Sequence, residues 1–297
     1  MTNLLQRIIM FVFFIPLIVV LILFLPMYQH ILLQIVTVIV AAALAIEIAR
    51  LYGLWPLGNA AETKPRLQFR LLRILAVLAC GLLPLLARMA VSFALVPDAF
   101  ITVSFVVPIL WIFASQVIMS QFTGIDEFLK RTHGYLMIIV YPAMGLSFFL
   151  AIIALPDAWL LLLIFLGSVF MNDTFAYVGG RFLGRNSPHP VKISPNKTSI
   201  GFLCGFLASP LVLLVGYLYQ PKLFPGGPVS VGLIGILMGV ATILGDLFES
   251  GLKRSFGTKD SGTVILVRGG MLDSVDSLVF AAPLFYFSYT LLYHFRF

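Results

Sequence analysis

Long apolar runs recur along almost the whole chain, and they limit its fold more than any other feature. An α-helix needs about 20 apolar residues to cross a bilayer. The chain is 61% hydrophobic and 10% charged, whereas soluble domains carry roughly 25% charged residues. The sequence therefore predicts an all-α polytopic integral membrane protein with about nine transmembrane helices, at 8–25, 31–49, 71–96, 99–122, 135–155, 157–178, 199–219, 229–248 and 272–294.

Basic residues concentrate on one side of the predicted bundle. Sixteen of the nineteen lysines and arginines lie at the N-terminus or in the loops after the second, fourth, sixth and eighth helices. Cytoplasmic loops carry an excess of Lys and Arg, so we expect a cytoplasmic N-terminus and an external C-terminus. The net charge of +7 then reflects orientation and attraction to anionic lipid, and no nucleic-acid partner is expected. Cys80 and Cys204 fall in apolar runs and imply no disulfide framework.

Acidic residues cluster near the predicted cytoplasmic ends of the last two helices. Asp246 and Glu249 are three residues apart, as are Asp273 and Asp276, so each pair shares a helix face. The intervening loop contains Gly269-Gly270 and the basic residues Lys253, Arg254, Lys259 and Arg268. Carboxylates for Mg²⁺ and cations for phosphate are the parts that phosphoryl or nucleotidyl transfer needs. A set of interfacial salt bridges is the alternative that spacing leaves open.

A second polar segment, 172–201, ends one apolar helix and leads into the next. Asp173 lies near the end of the first helix, and the Ser-Pro-Asn-Lys-Thr turn 194–198 precedes the second. Hydroxyls, a lysine and backbone N–H groups at a helix N-terminus can bind an anion, and an ordinary capped loop is the alternative. Within the second predicted helix, we expect Glu47 to pair with Arg50 at the membrane interface.

Three segments follow one another near the C-terminus: Ser-Gly-Leu-Lys-Arg at 250–254, Lys-Asp-Ser-Gly at 259–262 and Arg-Gly-Gly-Met-Leu-Asp-Ser-Val-Asp at 268–276. They resemble the S-x-x-K-R, K-D-x-G and H-G-G-x-x-D-R-x-D signature of phosphatidate cytidylyltransferases (CDP-diacylglycerol synthases). Segments 245–250, 173–177 and 192–198, the early Arg7…Pro16 pattern and Glu47 are similar to that family as well. The resemblance thus spans essentially the whole chain.

Four positions depart from the family pattern. Arg268 stands where the family has histidine, and Ser274 stands where it has arginine. Ser199 and Ile200 stand where an aromatic and then a polar residue are usual. The candidate metal carboxylates are intact, so the resemblance implies an active enzyme or a close divergent relative.

The resemblance implies transfer of a cytidylyl group from CTP to phosphatidate with Mg²⁺, giving CDP-diacylglycerol and pyrophosphate in phospholipid biosynthesis. It implies that Asp246, Asp273 and Asp276 bind the metal and form the catalytic set with Lys253. The implied substrate-binding residues are Asp173, Lys192, Ser194, Lys197, Thr198, Arg254, Lys259 and Arg268. Residues 1–297 would form one membrane domain, with N-terminal transmembrane helices in 1–170 and a catalytic transmembrane region with cytoplasmic loops in 171–297.

Other functions stay open at this point. Within enzymes, a cytidylyltransferase for another lipid phosphate is the nearest alternative, and the departures also allow a catalytically impaired homologue. A membrane transporter would also place carboxylates in helices, although here they lie at one face and no inverted repeat is visible. We expect a bacterial inner-membrane protein with its active site in the cytoplasm, membrane lipid as a partner and a homodimer as one possible assembly.

Overall fold

The structure is a computed structural model that describes residues 16–24, 27–55, 67–121, 125–224, 226–258 and 270–294. Over these ranges the regular secondary structure is helical, without strands. The main helices are α1 (Met27–Leu51), α2 (Leu67–Ser92), α3 (Ala99–Met119), α4 (Phe128–Ile138), α5 (Met144–Ile153), α6 (Ala158–Phe182), α7 (Ser199–Tyr219), α8 (Gly227–Ser255) and α9 (Leu272–His294).

Eight segments in the described ranges are long and apolar enough to cross a bilayer, with α4 and α5 together forming one of them, Ile125–Ile153. They confirm the predicted fold class. The first predicted span, 8–25, lies mostly outside the described residues, although 16–23 are helical. Helices α7 and α9 have the predicted bounds, whereas α8 continues to Ser255. The extension places Lys253 in the last helical turn, where a cation interacts favourably with the helix dipole.

The bundle buries large side chains between helices and exposes others to its surroundings. Helix α6 packs against α7, α7 against α8, and α8 against α9, which also contacts α5. Phe165 and Phe285 are fully buried between helices, whereas Leu110, Val117 and Val215 are more than half exposed. An apolar outer surface of this kind is expected when lipid tails, rather than water, surround the helices.

Small residues let the helices of the C-terminal half approach closely. An added Cβ at Gly245 in α8 would lie 2.9 Å from the Cα of Ser277 and 3.0 Å from the carbonyl oxygen of Asp276 in α9. At Gly145 in α5 it would clash with the carbonyl oxygen of Val279. Close backbone approach at small residues is the usual way in which membrane helices pack. Here it brings α8 and α5 onto the turn of α9 that contains Asp276.

A buried amide joins three of these helices. Asn172 in α6 donates hydrogen bonds from Nδ2 to Oγ of Ser209 in α7, at 3.0 Å, and to the carbonyl oxygen of Gly239 in α8, at 3.3 Å. Ser209 in turn donates to the carbonyl oxygen of Ser168, at 3.1 Å. Such interhelical bonds satisfy polar groups that lipid cannot. They fix α6, α7 and α8 next to one another beside Asp173.

A π-helical turn, Ile139–Ala143, separates α4 from α5. Pro142 within it has no backbone N–H, so a regular α-helical hydrogen bond is lost there. The buried Tyr141 directs its hydroxyl to the carbonyl oxygen of Asp276, at 3.4 Å, and its ring packs edge-on against Phe248. The sequence pattern gave no sign of this turn, which places an aromatic side chain against α8 and α9 together.

Candidate functional site

Polar side chains converge at one end of the bundle, where α1 and α8 end and where α7 and α9 begin; we call it the site end. Tyr52, just after α1, hydrogen-bonds with Nδ1 of His133 in α4 at 3.1 Å. Its ring also packs against Phe256 at the end of α8, with centroids 4.7 Å apart. The predicted grouping of the second, fourth, sixth and eighth loops at one end is thus confirmed for the described parts of the chain.

An ion pair links the loop before α7 to α8. The ammonium group of Lys197 contacts Oδ2 of Asp246, and it also lies 5.6 Å from the ring centroid of Phe202. The same loop packs on α8 one turn further along, because Ile193 lies against Gly251. Two predicted site residues that are 49 positions apart in sequence are therefore in direct contact.

Asp276 lies at the centre of the acidic residues. Its side chain is buried in α9 and interacts electrostatically with Asp246, Asp173 and Lys197. The close packing of α8 on α9 at Gly245 explains why the neighbouring Asp246 is near it. Three carboxylates and one ammonium group leave an excess of negative charge here, which favours binding of a cation.

A second ion-paired group lies one turn further toward the site end. Lys253 places Nζ 2.8 Å from Oε1 of Glu249 and 2.5 Å from Oδ1 of Asp273. The other oxygen of Asp273 accepts a hydrogen bond of 2.9 Å from the backbone N–H of Gly270. Glu249 is only 2% exposed, so Lys253 contacts a buried carboxyl group while it connects α8 to the first turn of α9.

Glu47 determines where α9 begins. Its carboxylate, 0% exposed, accepts hydrogen bonds from the backbone N–H groups of Met271, at 2.7 Å, and Leu272, at 2.9 Å. These N–H groups have no partner within their own helix. The predicted ion pair of Glu47 with Arg50, which is exposed, stays a prediction. Glu47 anchors the segment that leads to Asp273.

The first turn of α7 is closed by protein groups rather than left open for an anion. Thr198 is the N-cap residue, and its hydroxyl oxygen accepts a hydrogen bond of 3.1 Å from Gly201. The N–H of Ser199 donates to the carbonyl oxygen of Pro188, and the N–H of Ile200 donates to Oγ of Ser187. These bonds satisfy the first N–H groups of α7, as the capped-loop alternative expects. Phosphate binding by Ser194, Lys197 and Thr198 stays a prediction.

The remaining predicted residues lie at the same end but at its surface. Asp173, Lys192 and Arg254 are exposed, and Ser194 is half-buried in the loop before α7, where its carbonyl oxygen accepts a hydrogen bond from the N–H of Lys197. Lys259 and Arg268 lie outside the described residues. The structure thus brings Asp246, Asp276 and Lys197 together, and places Lys253, Asp273 and Glu249 in a neighbouring group.

Comparison with known proteins identifies the family of this chain. The sequence matches the cytidylyltransferase family over residues 5–292. The chain belongs to that family. A phosphatidate cytidylyltransferase of Aquifex aeolicus is 36% identical over 162 residues, which cover 54% of this chain and 57% of that protein. The Thermotoga maritima enzyme is 35% identical over 195 residues, 62% of this chain and 70% of its own length.

The Rickettsia bellii phosphatidate cytidylyltransferase is 34% identical over 197 residues, covering 62% of this chain and 84% of that protein. For the Aquifex and Synechocystis relatives, the matched part spans only about half of their length, 57% and 45%. Membership of the cytidylyltransferase family therefore comes from the match along the whole chain.

The donor set of this cytidylyltransferase-family site fits Mg²⁺. Mg²⁺ is usually held by one or two carboxylates together with substrate phosphates, rather than by a cage of protein ligands. In the described residues, no three acidic, histidine or cysteine side chains are arranged to bind an ion by themselves. Asp246 and Asp276 provide two neighbouring carboxylates on adjacent helices. The third predicted ligand, Asp273, has both oxygens engaged by Lys253 and Gly270, so its role as a ligand stays a prediction.

Sequence reasoning left two structural residues of this site unassigned. Glu249 was grouped with Asp246 by spacing. Its position four residues before Lys253 is a better indication of its partner, because oppositely charged residues four apart on a helix can form an ion pair. Ser187 offered no sequence signal for its bond to the N–H of Ile200. The departure at Ser199 has a local explanation: its hydroxyl and its N–H both donate to the carbonyl oxygen of Pro188.

Proposed function

We propose that this family member transfers the cytidylyl group of CTP to phosphatidate, giving CDP-diacylglycerol and pyrophosphate in phospholipid biosynthesis. One observation carries the proposal. Residues of the family signature that lie far apart in sequence meet at one end of the bundle as carboxylate–lysine pairs, Lys197 with Asp246 and Lys253 with Asp273. When such pairs separate, the carboxylates can bind a metal ion and the lysines can bind phosphates. Both are needed for a reaction between two polyanions.

The step itself needs little proton chemistry. A phosphate oxygen of phosphatidate, already ionised at neutral pH, would attack the α-phosphorus of CTP and form a new P–O bond. The bond from that phosphorus to the bridging oxygen breaks, and pyrophosphate leaves with the electron pair. The obstacle is repulsion between the two anions, so positioning and charge neutralisation provide the catalysis. A buried general base is not required.

The two lysines would supply the protein's part of that neutralisation. Lys197 lies on a loop that packs against α8 and is held over Asp246, so a small rotation of its side chain would direct the ammonium group to a phosphate. Lys253 is more constrained, because Glu249 and Asp273 both bind it. We therefore assign Lys197 to phosphate binding and Lys253 mainly to holding Asp273 in place, with Arg254 on the exposed rim as a further phosphate ligand.

Mg²⁺ would be held by Asp246 and Asp276, and when bound it would neutralise triphosphate charge. The excess negative charge around Asp276 supports this assignment. The proposed location is a bacterial inner membrane with the site end in the cytoplasm, where CTP is available. The distribution of sixteen basic residues supports that orientation.

The deciding experiment uses the full chain in detergent with labelled CTP, phosphatidate and Mg²⁺, and measures label in the lipid phase. We expect label that depends on phosphatidate, is abolished by chelation and falls at least 100-fold in Asp246→Asn. A second assay contains a polyprenyl phosphate in place of phosphatidate. Transfer only to the polyprenyl lipid would reject phosphatidate as the substrate, and absence of transfer to both would reject cytidylyl transfer to these lipids.

A further inference from the structure

A surface depression of about 630 Å³ opens at the site end between α1, α4 and α8. Its walls include Tyr52, Lys130, Thr132, His133 and Phe256. None of these residues belongs to the carboxylate–lysine groups described above. Its volume lies within the range of small-molecule sites, roughly 300–1,000 Å³.

The polar lining can bind an anion through two side chains. Lys130 is exposed, and in the described residues its ammonium group has no carboxylate partner. His133 shares a hydrogen bond with Tyr52 through Nδ1. If the Tyr52 hydroxyl donates that bond, the imidazole proton is on Nε2, which then faces a ligand as a donor. Lys130 and His133 are three residues apart on α4 and therefore share a face.

The hydroxyl groups of the lining are already committed. Thr132 donates to the carbonyl oxygen of Phe128 at 2.8 Å, and Ser255 donates to that of Leu252 at 2.7 Å. Neither hydroxyl can donate to a ligand without breaking a bond inside its helix. A nucleoside, which presents several hydroxyl and amide groups, would therefore find few partners here. The site provides charge for a phosphate, but little for a base or a sugar.

The rest of the wall is apolar. Leu129 is 77% exposed at the rim, and Leu136 and Phe256 line the interior. The depression lies at the end of helices that are long and apolar enough to cross a membrane, where lipid head groups would be expected. The depression thus combines a cationic donor and an imidazole donor with exposed apolar side chains. It complements a molecule that is anionic at one end and apolar at the other. This combination favours a phosphate-bearing lipid over a soluble nucleotide.

The depression adjoins the ion-paired group of Lys253. Phe256 is three residues beyond Lys253, a rise of about 4.5 Å, and ten residues beyond Asp246, a rise of about 15 Å. Tyr52, on the opposite wall, is five residues beyond Glu47, which anchors the start of α9. A lipid phosphate seated here would lie beside the Lys253 group and would have to move along α8 to reach Asp246 and Asp276.

We infer that this depression is an entry site, which binds the phosphomonoester head group of the lipid substrate through Lys130 and His133 before the head group moves to Asp246 and Asp276. The identification of the bound lipid as the substrate rests on the proposed function, whereas binding of a phosphate-bearing lipid rests on the geometry alone. The acyl chains would extend past Leu129 and Leu136 into the bilayer. Lys130 and His133 are thus substrate-binding residues to which no sequence motif pointed.

The test compares Lys130→Ala and His133→Ala with Lys130→Arg and with Lys222→Ala, an exposed lysine outside the site end. We expect each alanine change at the site to raise KM for phosphatidate about tenfold, the effect of one charge-assisted hydrogen bond, with KM for CTP unchanged. Lys130→Arg should retain most of the affinity, and Lys222→Ala should change neither constant. Unfolding temperatures in detergent confirm that the variants fold.

A binding measurement separates this inference from the proposed reaction. Short-chain phosphatidate, without CTP, should raise the unfolding temperature of the unaltered protein, and Lys130→Ala should remove that increase. This result would support the site even if no cytidylyl transfer were detected. Equal stabilisation by phosphatidylglycerol of the same chain length would indicate a structural anionic-lipid site and overturn the substrate assignment. A selective rise in KM for CTP, or unchanged KM values with unchanged stabilisation, would overturn the inference altogether.

Discussion

Glu47 accepts a hydrogen bond of 2.9 Å from the backbone N–H of Leu272, although the two residues are 225 positions apart in sequence. The bond joins α1, in the N-terminal half, to the first turn of α9, which contains Asp273. Because the carboxylate is fully buried and binds a second N–H group, it acts as a distant cap of α9. The N-terminal helices therefore support the geometry of the site as well as crossing the membrane.

Removal of this cap should loosen the start of α9. Glu47→Ala would leave two backbone N–H groups without their anionic partner, and each such hydrogen bond contributes about 1.5–3 kcal/mol. We expect a loss of at least 2 kcal/mol in the free energy of unfolding and a marked fall in turnover. Thermal unfolding in detergent and the cytidylyl-transfer rate check both effects.

Asp126→Ala is the matched control for Glu47→Ala. Asp126 lies exposed in the short turn before α4. Surface substitutions usually change the free energy of unfolding by less than about 0.5 kcal/mol, so this change should affect stability little. Equal destabilisation by the two substitutions would show that burial of Glu47 has no special role.

The close packing of α8 on α9 at Gly245 should also be essential. A methyl group there would lie 2.8 Å from Cβ of Phe280 and 3.0 Å from the carbonyl oxygen of Asp276. Gly245→Ala should therefore cost about 1–3 kcal/mol, the usual effect of overpacking, and should separate Asp246 from Asp276. Gly232→Ala, also in α8, meets nothing within 4 Å and should be neutral or stabilising. Unfolding temperatures of the two variants test the contrast.

The helices could be predicted from sequence because lipid imposes a simple requirement: about 20 apolar residues with every backbone group bonded internally. For α7 and α9 the predicted bounds also match the observed ones, since Thr198 caps the start of α7 and Asp273 lies in the first turn of α9. The end of α8 was missed because Lys253 and Arg254 were assigned to a loop. Charge alone does not distinguish a cytoplasmic loop from the last turn of a helix.

The carboxylates and lysines of the site were predicted from their spacing and family resemblance, but their partners were not. Asp246 was grouped with Glu249 on one helix face, whereas its actual contact is Lys197, from another part of the chain. Glu47 was assigned to its sequence neighbour Arg50, and its bonds to the start of α9 were not predicted. Partners across helices depend on the rotation and depth of each helix in the bundle, which hydropathy does not encode.

Lys253 should be a structural cation for two buried carboxylates. Lys253→Met keeps the length of the side chain but removes the cationic partner of Asp273 and Glu249, which should cost about 3–5 kcal/mol. Lys253→Met combined with Glu249→Gln should recover part of that loss, because the Gln amide can donate a hydrogen bond to Asp273. A double-mutant cycle on unfolding free energy measures the coupling. Strictly additive effects would contradict the ion-paired group.

The orientation of the bundle can be tested with single cysteines at its two ends. His189 lies exposed in the loop between α6 and α7, and Lys222 lies exposed between α7 and α8. We expect an impermeant thiol reagent to label Lys222→Cys, but not His189→Cys, in intact cells. Permeabilised cells should give labelling at both positions, and the unaltered chain measures the background from Cys80 and Cys204. The reverse pattern would place the site end outside the cell.

Lys197 should compete with Mg²⁺ for Asp246. Its ammonium group contacts Oδ2 of that carboxylate, so an ion that binds Asp246 must first displace the lysine. Lys197→Met removes the competitor and should strengthen binding of Mg²⁺ to the protein alone by severalfold. It should nevertheless slow cytidylyl transfer by at least tenfold, because the variant has no ammonium group at this position to bind the substrate phosphates.

Opposite effects on ion affinity and on rate distinguish this competition from a simple loss of structure. The stabilisation of the protein by Mg²⁺ in the absence of CTP gives the affinity, since a ligand that binds only the folded state raises the unfolding temperature. Lys222→Met, at the other end of the bundle, is the control and should change neither quantity. If Lys197→Met weakened Mg²⁺ binding, the lysine would support the ion site instead of competing for it, and the assignment of Lys197 to phosphate would lose its basis.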